Sequence, residues 1–173
     1  MLLKDSFMRC SSMPRRYVLS KRERKRLLEE LEQRYGSIGV GKNDVVEIFE
    51  EKNKFKILVI NGVPAFIFYE DKWIPHLKYL LRNPNLKIPI IIVDMGAVKP
   101  LLRGADLMAP GIREIIGVFG KGDVVVVAEE KYRKPFVIGI ALVDSDDIVS
   151  GKIKRGRVVE NIHRIGDIFW NIL

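Results

Sequence analysis

Twenty residues, Val93 to Ile112, constrain this chain more than any other stretch. They read Val-Asp-Met-Gly-Ala-Val-Lys-Pro-Leu-Leu-Arg-Gly-Ala-Asp-Leu-Met-Ala-Pro-Gly-Ile. An apolar strand runs into Asp94, and a short helix follows. Gly96 and Ala97 allow its first turn to pack closely. Pro100 lacks an N–H and is tolerated in a first helical turn, so the pattern predicts a helix from about Ala97 to Arg103. Gly104 then takes the position after the cap, where a left-handed backbone costs glycine little. Gly104-Ala105 leaves main chain uncovered by side chains, so another molecule can come close. Lys99 and Arg103 are four apart and are expected to project toward that loop. A bare loop flanked by two cations suits a phosphate or a sugar. A plain helix cap followed by a Pro-Gly turn fits the same residues, and local physics alone favours that reading. Asp94 and Asp106 read as caps.

The rest of the chain frames this segment. Ser20 and Glu23 form an S-x-x-E capping box ahead of a helix over Ser20–Tyr35. Leu27, Leu28, Leu31 and Tyr35 make its apolar stripe, and Gly36 stops it. Arg22, Lys25 and Arg26 share one exposed sector. Asp44–Glu51 alternates imperfectly. Phe55–Ile60, Asn61-Gly62 and Val63–Tyr69 read as a hairpin with a type I′ turn. Trp73–Leu81 is expected to be a helix, with Trp73, Leu77, Leu80 and Leu81 on its apolar face and Pro75 in its first turn. Asn83-Pro84-Asn85 is the candidate boundary. Beyond it, Ile88–Val93, Val124–Ala128 and Phe136–Ala141 read as strands, and Val143–Val149 and Val158–Ile165 as weaker ones. Many short strands with one or two short helices suggest a compact barrel.

Charge is uneven along the 173 residues. Residues 1–28 carry nine Lys/Arg against two Asp/Glu, while residues 88–173 carry twelve against eleven. Nearly all of the net +8 therefore sits at the N-terminus. Arg15, Arg16, Arg22, Lys25 and Arg26 form a secondary basic patch that either binds a polyanion or is a solvated face. No apolar run approaches the roughly 20 residues of a membrane span, and residues 1–10 are too short and polar for a signal peptide, which places the protein in the cytoplasm. Residues 1–12 are read as a disordered tail or a misassigned start, with Met1, Met8 and Met13 all candidate initiators. One cysteine, Cys10, and two histidines leave a Cys/His zinc site short of ligands, so no metal and no cofactor is expected. No nucleophile elbow, zincin or Walker A sequence occurs, and Gly117-x-x-Gly120-Lys121-Gly122 reads as a turn. His163 reads as a packed core residue. Trp73 and Trp170 read as core anchors, with an interdomain contact as the alternative. The abundance of Lys, Glu, Ile and Val is the bias seen in hyperthermophiles and suggests an archaeal source.

The run Gly96-Ala97, Leu101-Leu102, Gly104-Ala105-Asp106-Leu107-Met108-Ala109-Pro110-Gly111-Ile112 resembles the signature of the PUA domain, an RNA-binding β-barrel. Gly122-Asp123 with Val124–Val127, and Pro135–Ala141, fit the same resemblance. The ending Ile162-His163-Arg164-Ile165-Gly166-Asp167-Ile168-Phe169-Trp170 is similar to that of one subgroup, the malignant-T-cell-amplified-sequence family and its archaeal counterparts. The resemblance implies an α+β chain: a small N-terminal α+β domain over residues 13–84, then a C-terminal PUA-type β-barrel over residues 88–173. It also implies an RNA-binding surface built from the short helix, the glycine loop and a late strand. Carried onto this chain, those residues are Lys99, Arg103, Gly104 and Ala105, with Lys152, Lys154, Arg155 and Arg157 continuing one groove.

The expected function is that of a translation-associated RNA-binding protein rather than an enzyme. It would bind structured RNA, either tRNA or ribosomal RNA, and its N-terminal domain would contact the small ribosomal subunit or another translation factor. A ribosome-biogenesis factor acting on precursor ribosomal RNA is the alternative. An RNA-modifying enzyme fits less well, because about 85 N-terminal residues are too few for a known catalytic domain of that kind. A protein adaptor without RNA affinity is disfavoured by the intact cations.

Overall fold

The computed structural model describes residues 13–173, so the expectation for residues 1–12 lies outside the described residues. The N-terminal domain comprises β1 (Arg15–Val18), α1 (Lys21–Tyr35), β2 (Val46–Glu51), β3 (Phe55–Ile60), β4 (Val63–Tyr69), β5 (Lys72–Pro75) and α2 (Leu77–Arg82). Its strands form one antiparallel sheet in the order β1-β2-β3-β4-β5. Helix α1 starts at the capping box: Glu23 N–H donates to Ser20 Oγ at 3.3 Å, and Ser20 N–H donates to Glu23 Oε2 at 3.0 Å. Leu31 and Tyr35 are buried, with Leu27 and Leu28 partly so. Asn61 (φ 49°) and Gly62 (φ 78°) both take positive φ, as a type I′ turn between β3 and β4 requires.

The expected helix over Trp73–Leu81 divides into a strand and a shorter helix. Trp73, Ile74 and Pro75 pair with Phe68, Ile67 and Phe66 of β4. β5 is an edge strand, where a proline without a donor is tolerated. Trp73 packs on Phe68, with ring centroids 5.1 Å apart. His76 is the N-cap of α2, its Nδ1 accepting from Lys78 N–H at 3.1 Å. The i, i+4 spacing of Trp73 and Leu77 is thus shared between a strand residue and a helix residue.

The C-terminal half contains β6 (Ile90–Val93), α3 (Met95–Leu102), β7 (Leu107–Met108), β8 (Ile112–Ile116), β9 (Val124–Glu129), β10 (Pro135–Ala141), α4 (Ser145–Val149), β11 (Arg157–Arg164) and α5 (Ile168–Asn171). The sheet order is β7-β11-β10-β9-β6-β8, with only β6 and β9 parallel. The outermost strands, β7 and β8, are joined by a single 3-10 turn, Ala109–Gly111. Three residues reach only about 10 Å, so the sheet must curl until its edges meet, giving an incompletely closed barrel. Gly139 permits close contact inside it: a Cβ there would stand 2.4 Å from Val159 Cγ1 and 2.6 Å from the Glu160 carbonyl oxygen.

Two further expectations are corrected. Ser145–Val149 is helical, not a strand. Asp144 caps it in an extended conformation, and Asp146 and Asp147 fall in its first turn, where carboxylates complement the helix dipole. β10, moreover, is already paired on both edges, by β9 and β11. Helix α3 begins at Met95, not Ala97, so Pro100 is its sixth residue. The carbonyl that proline leaves without an intrahelical donor belongs to Gly96, an exposed residue, and the helix ends two residues later.

One apolar core runs across the two halves. It includes Leu31, Phe66, Trp73 and Leu77 from the first, and Val126 and Ile138 from the second. At its edge lie two fully buried histidines, His76 and His163, with ring centroids 4.4 Å apart. His163 Nε2 accepts from Leu77 N–H at 3.2 Å, and its Nδ1 donates to Asp167 Oδ2 at 2.9 Å. His76 Nε2 donates to the Phe169 carbonyl at 2.9 Å. Trp170 lies nearly parallel to His76 at 6.5 Å, so it serves the junction between the halves. Burial, and then the neighbouring His163, push the His76 pKa down to about 4. Burial pushes Asp167 up, but hydrogen bonds from His163 and from the N–H groups of Arg164 and Trp170 together hold it below the ordinary carboxylate value.

Candidate nucleic-acid interface

The glycine loop is fixed from both sides. Helix α3 opens with Asp94, whose Oδ1 accepts from Ala97 N–H at 2.9 Å. It closes in a Schellman arrangement: Ala105 N–H donates to the Pro100 carbonyl at 3.1 Å and Gly104 N–H to the Leu101 carbonyl at 3.0 Å. Gly104 takes φ +98°, which a side-chain-bearing residue rarely adopts. From β11, Asn161 Nδ2 donates to the carbonyls of Leu101 (2.8 Å) and Ala105 (2.9 Å). Asn161 N–H donates to Asp106 Oδ1 at 2.8 Å. Asp106 is therefore a cross-strand tie and not a cap. Asn161 Oδ1 is buried without a protein partner. Even so, the Asn161 side chain makes two bonds to loop carbonyls, which sets the loop's height over the sheet.

Arg164, at the end of β11, roofs this loop. Its Nε donates to the Leu102 carbonyl at 3.0 Å. Its guanidinium lies 3.2–3.3 Å from the point where a Cβ on Gly104 would stand. The positive φ favours glycine there, and a side chain would also crowd the Arg164 guanidinium. Beside the loop, Ala97, Pro100, Leu107, Met108 and Gly111 line an apolar recess of about 150 Å³. Met95, Leu102 and Met108 are exposed around it.

The cations read from the sequence fall into distinct settings. Lys99 and Arg103 are exposed, on α3 and at its C-cap. Arg157 reaches the loop but is paired, Nη2 to Asp106 Oδ2 at 2.8 Å. Lys152 pairs with Asp147 at 3.6 Å. Lys154 lines a separate groove with Ile112, Ile148 and Val149, and Arg155 is exposed in the turn before β11. Only Arg157 of that cluster makes direct contact with the glycine-loop segment. Among the described residues, Lys99, Arg103 and Arg164 have no carboxylate within ion-pair distance, unlike Arg157 and Lys152.

In the secondary patch, Arg15 pairs across strands with Glu50 and Arg16 with Glu47, each at 2.8 Å. The Glu47 hydrogen bond raises the Arg16 pKa further. Lys25 reaches Glu29 at 3.9 Å, while Arg22 and Arg26 are exposed on α1. Asn161 and Arg164 are the residues that sequence reasoning missed. The only signal for Asn161 was a polar residue inside an apolar strand pattern. Nothing in the sequence signalled that Arg164 would fold back over Gly104.

No group of three or more His, Cys, Asp or Glu among the described residues could hold a metal ion, and no described helix is long and apolar enough to cross a membrane.

Comparison with known proteins agrees with this architecture. Residues 15–83 match a domain of unknown function (DUF1947) and residues 89–165 match the PUA domain. An uncharacterised protein of Methanocaldococcus jannaschii is 36% identical over 91% of this chain and 96% of its own length. Translation machinery-associated protein 20 of Eremothecium gossypii is 32% identical, over 75% of this chain and 74% of its own. The crystal structure of a PUA domain protein from Aeropyrum pernix, a tartrate complex, superposes with a TM-score of 0.80 at 32% identity, covering 92% of this chain and 91% of that one. The chain belongs to the family of PUA-domain proteins that includes translation machinery-associated protein 20 and the malignant-T-cell-amplified sequences.

Proposed function

We propose that the protein is a translation-associated RNA-binding protein, not an enzyme, and that it binds tRNA or ribosomal RNA through the glycine-loop surface. The observation that carries the site assignment is the trio Lys99, Arg103 and Arg164 around an exposed, rigidly held Gly104-Ala105 backbone, with no carboxylate pairing them among the described residues. Cations without a carboxylate partner leave their charge free to attract phosphates. The adjoining apolar recess and Met108 offer an unstacked base or a ribose a dry contact, which is how single-stranded RNA elements are commonly held. The translation role rests on the kinship with translation machinery-associated protein 20. The N-terminal domain then faces the small ribosomal subunit or another factor, with Arg22 and Arg26 among its exposed cations. On this reading the protein acts in the cytoplasm.

Charge reversal tests the site. Lys99→Glu with Arg103→Glu removes two phosphate contacts, so tRNA affinity at moderate salt falls by at least about tenfold, and the slope of log K against log salt shrinks by roughly 1–2. Equal isotherms for wild type and variant at two salt concentrations contradict the assignment. Co-sedimentation separates the pathways: association with mature small subunits supports translation, and association with large-subunit precursors supports biogenesis.

A further inference from the structure

A second concave surface lies where the two halves meet, and it shares no residue with the glycine loop. It is an open cleft of about 370 Å³, within the range of small-ligand sites. One wall is cationic and draws on the last turn of α1, strand β5 and the linker before β6: Arg34, Lys72 and Lys87. Ile88, Pro89 and Val118 add apolar surface to the same cleft. Val118 is 76% exposed, which is unusual for a valine unless something covers it.

The cations are held in place. The Lys87 stem lies across Gly36, whose missing Cβ would come within 3.2 Å of it. Lys87 N–H donates to the Tyr35 carbonyl at 2.8 Å. Lys72 Nζ donates to the Gly122 carbonyl at 2.8 Å, tying the N-terminal sheet to the loop before β9 and leaving two ammonium donors uncommitted. Burial pushes the phenol of the cleft-lining Tyr35 up to about 12. The one carboxylate lining the cleft, Asp123, accepts from Gly120 N–H at 2.8 Å and forms no ion pair with Arg34, Lys72 or Lys87. Among the described residues, neither Arg34 nor Lys87 forms an ion pair.

The geometry points to a nucleotide-binding site in this interdomain cleft, with the phosphate on Arg34, Lys72 and Lys87 and the ribose or base against Ile88, Pro89 and Val118. Three cations lining one cleft without an ion-paired carboxylate fit an anion, and the apolar residues beside them fit a flat or hydrophobic moiety attached to it. A nucleotide carries both. It belongs either to an RNA strand threading between the halves or to a free mononucleotide. Its binding bridges both halves of the chain, because Arg34 and Lys72 come from the first and Val118 from the second.

The test uses the full chain, isotopically labelled, with adenosine 5′-monophosphate and a short oligoadenylate as separate probes. Amide signals of Lys87, Val118 and Gly122 are expected to shift with at least one probe. A shift with the oligonucleotide alone assigns the cleft to a strand, and a shift with both or with the mononucleotide alone assigns it to a single nucleotide. Arg34→Glu with Lys87→Glu should weaken that binding at least about tenfold. Lys99→Glu with Arg103→Glu should leave it in place, so failure here is distinct from failure of the glycine-loop assignment. Arg34→Ala with Lys87→Ala provides a milder pair whose remaining amide spectrum reports an intact fold. The inference is overturned if neither probe shifts those amides at about 1 mM, or if the shifts persist unchanged in both cleft variants.

Discussion

The buried histidine junction and the glycine loop solve opposite problems with the same kind of hydrogen bonding. At the junction, each ring of His76 and His163 offers its one acceptor nitrogen to a backbone N–H, from Lys78 and Leu77, and donates from the other, to the Phe169 carbonyl and to Asp167. Every ring nitrogen is used, both rings are inaccessible to water, and the result joins the two halves. At the loop, Asn161 and Asp106 tie the backbone to β11, while Lys99 on α3 and Arg103 at its C-cap are exposed and have no carboxylate partner among the described residues. The contrast shows what satisfaction means in each setting. A buried polar group must find its partners inside the protein, because an orphan costs about 1–3 kcal/mol. An exposed cation is solvated at no such cost and stays available to a polyanion.

The comparison predicts separable failures, and the largest is at the junction. Asp167→Ala removes the acceptor for His163 Nδ1 and the cap for Arg164 and Trp170 N–H groups. It should cost roughly 3 kcal/mol in urea unfolding, and a loss below about 0.5 kcal/mol would show the junction to be incidental.

Acid should act on the same place. The folded pKa of His76 is about 4, against an ordinary 6.5, so the unfolded chain binds more protons between those values. Stability contributed by the neutral ring is therefore complete above pH 6.5 and is lost as pH falls toward 4. The depressed Asp167 pKa works in the same direction at lower pH. The loss attributable to His76 reaches about 3 kcal/mol. His76→Asn should flatten the pH dependence of Tm across that window, and an unchanged slope would remove His76 from the account.

Within the barrel, Gly139→Ala drives a methyl into Val159 and the Glu160 carbonyl. That should cost about 1–3 kcal/mol, visible as a lower Tm. The smallest effect is expected far from both regions. Ser20→Ala removes the α1 cap and should cost about 1 kcal/mol, with RNA affinity unchanged.

What could be read from the sequence divides along the line between local and distant contacts. The α1 cap, the Asn61-Gly62 turn and the Gly104 stop are settled within a few residues, and each appears as the sequence indicates. The fold class was legible through the resemblance that the run from Gly96 to Ile112 carries. Trp73–Pro75 was read as helix because i, i+4 spacing cannot register that β4 lies alongside waiting for an edge partner. Val143–Val149 looked like a strand by its apolar ends, whereas three aspartates at its start favour a helix N-terminus. The junction was illegible because Leu77 and His163 stand 86 residues apart. The same holds for the clasp: Asn161 and Arg164 meet the loop only after β11 pairs with β7 and β10. The basic run at Lys152–Arg157 read as one cluster, yet α4 and β11 distribute it among Asp147, a side groove and Asp106.

RNA is proposed to lie chiefly on the glycine loop, with the basic helix α1 secondary to it. Ultraviolet crosslinking of the intact protein to RNA in cells, followed by sequencing of the RNA and mass spectrometry of the attached peptides, tests it directly. The expected result is tRNA or ribosomal RNA joined to peptides containing Lys99–Met108 or Asn161–Arg164. Crosslinks confined to α1, or no retained RNA at all, would contradict it.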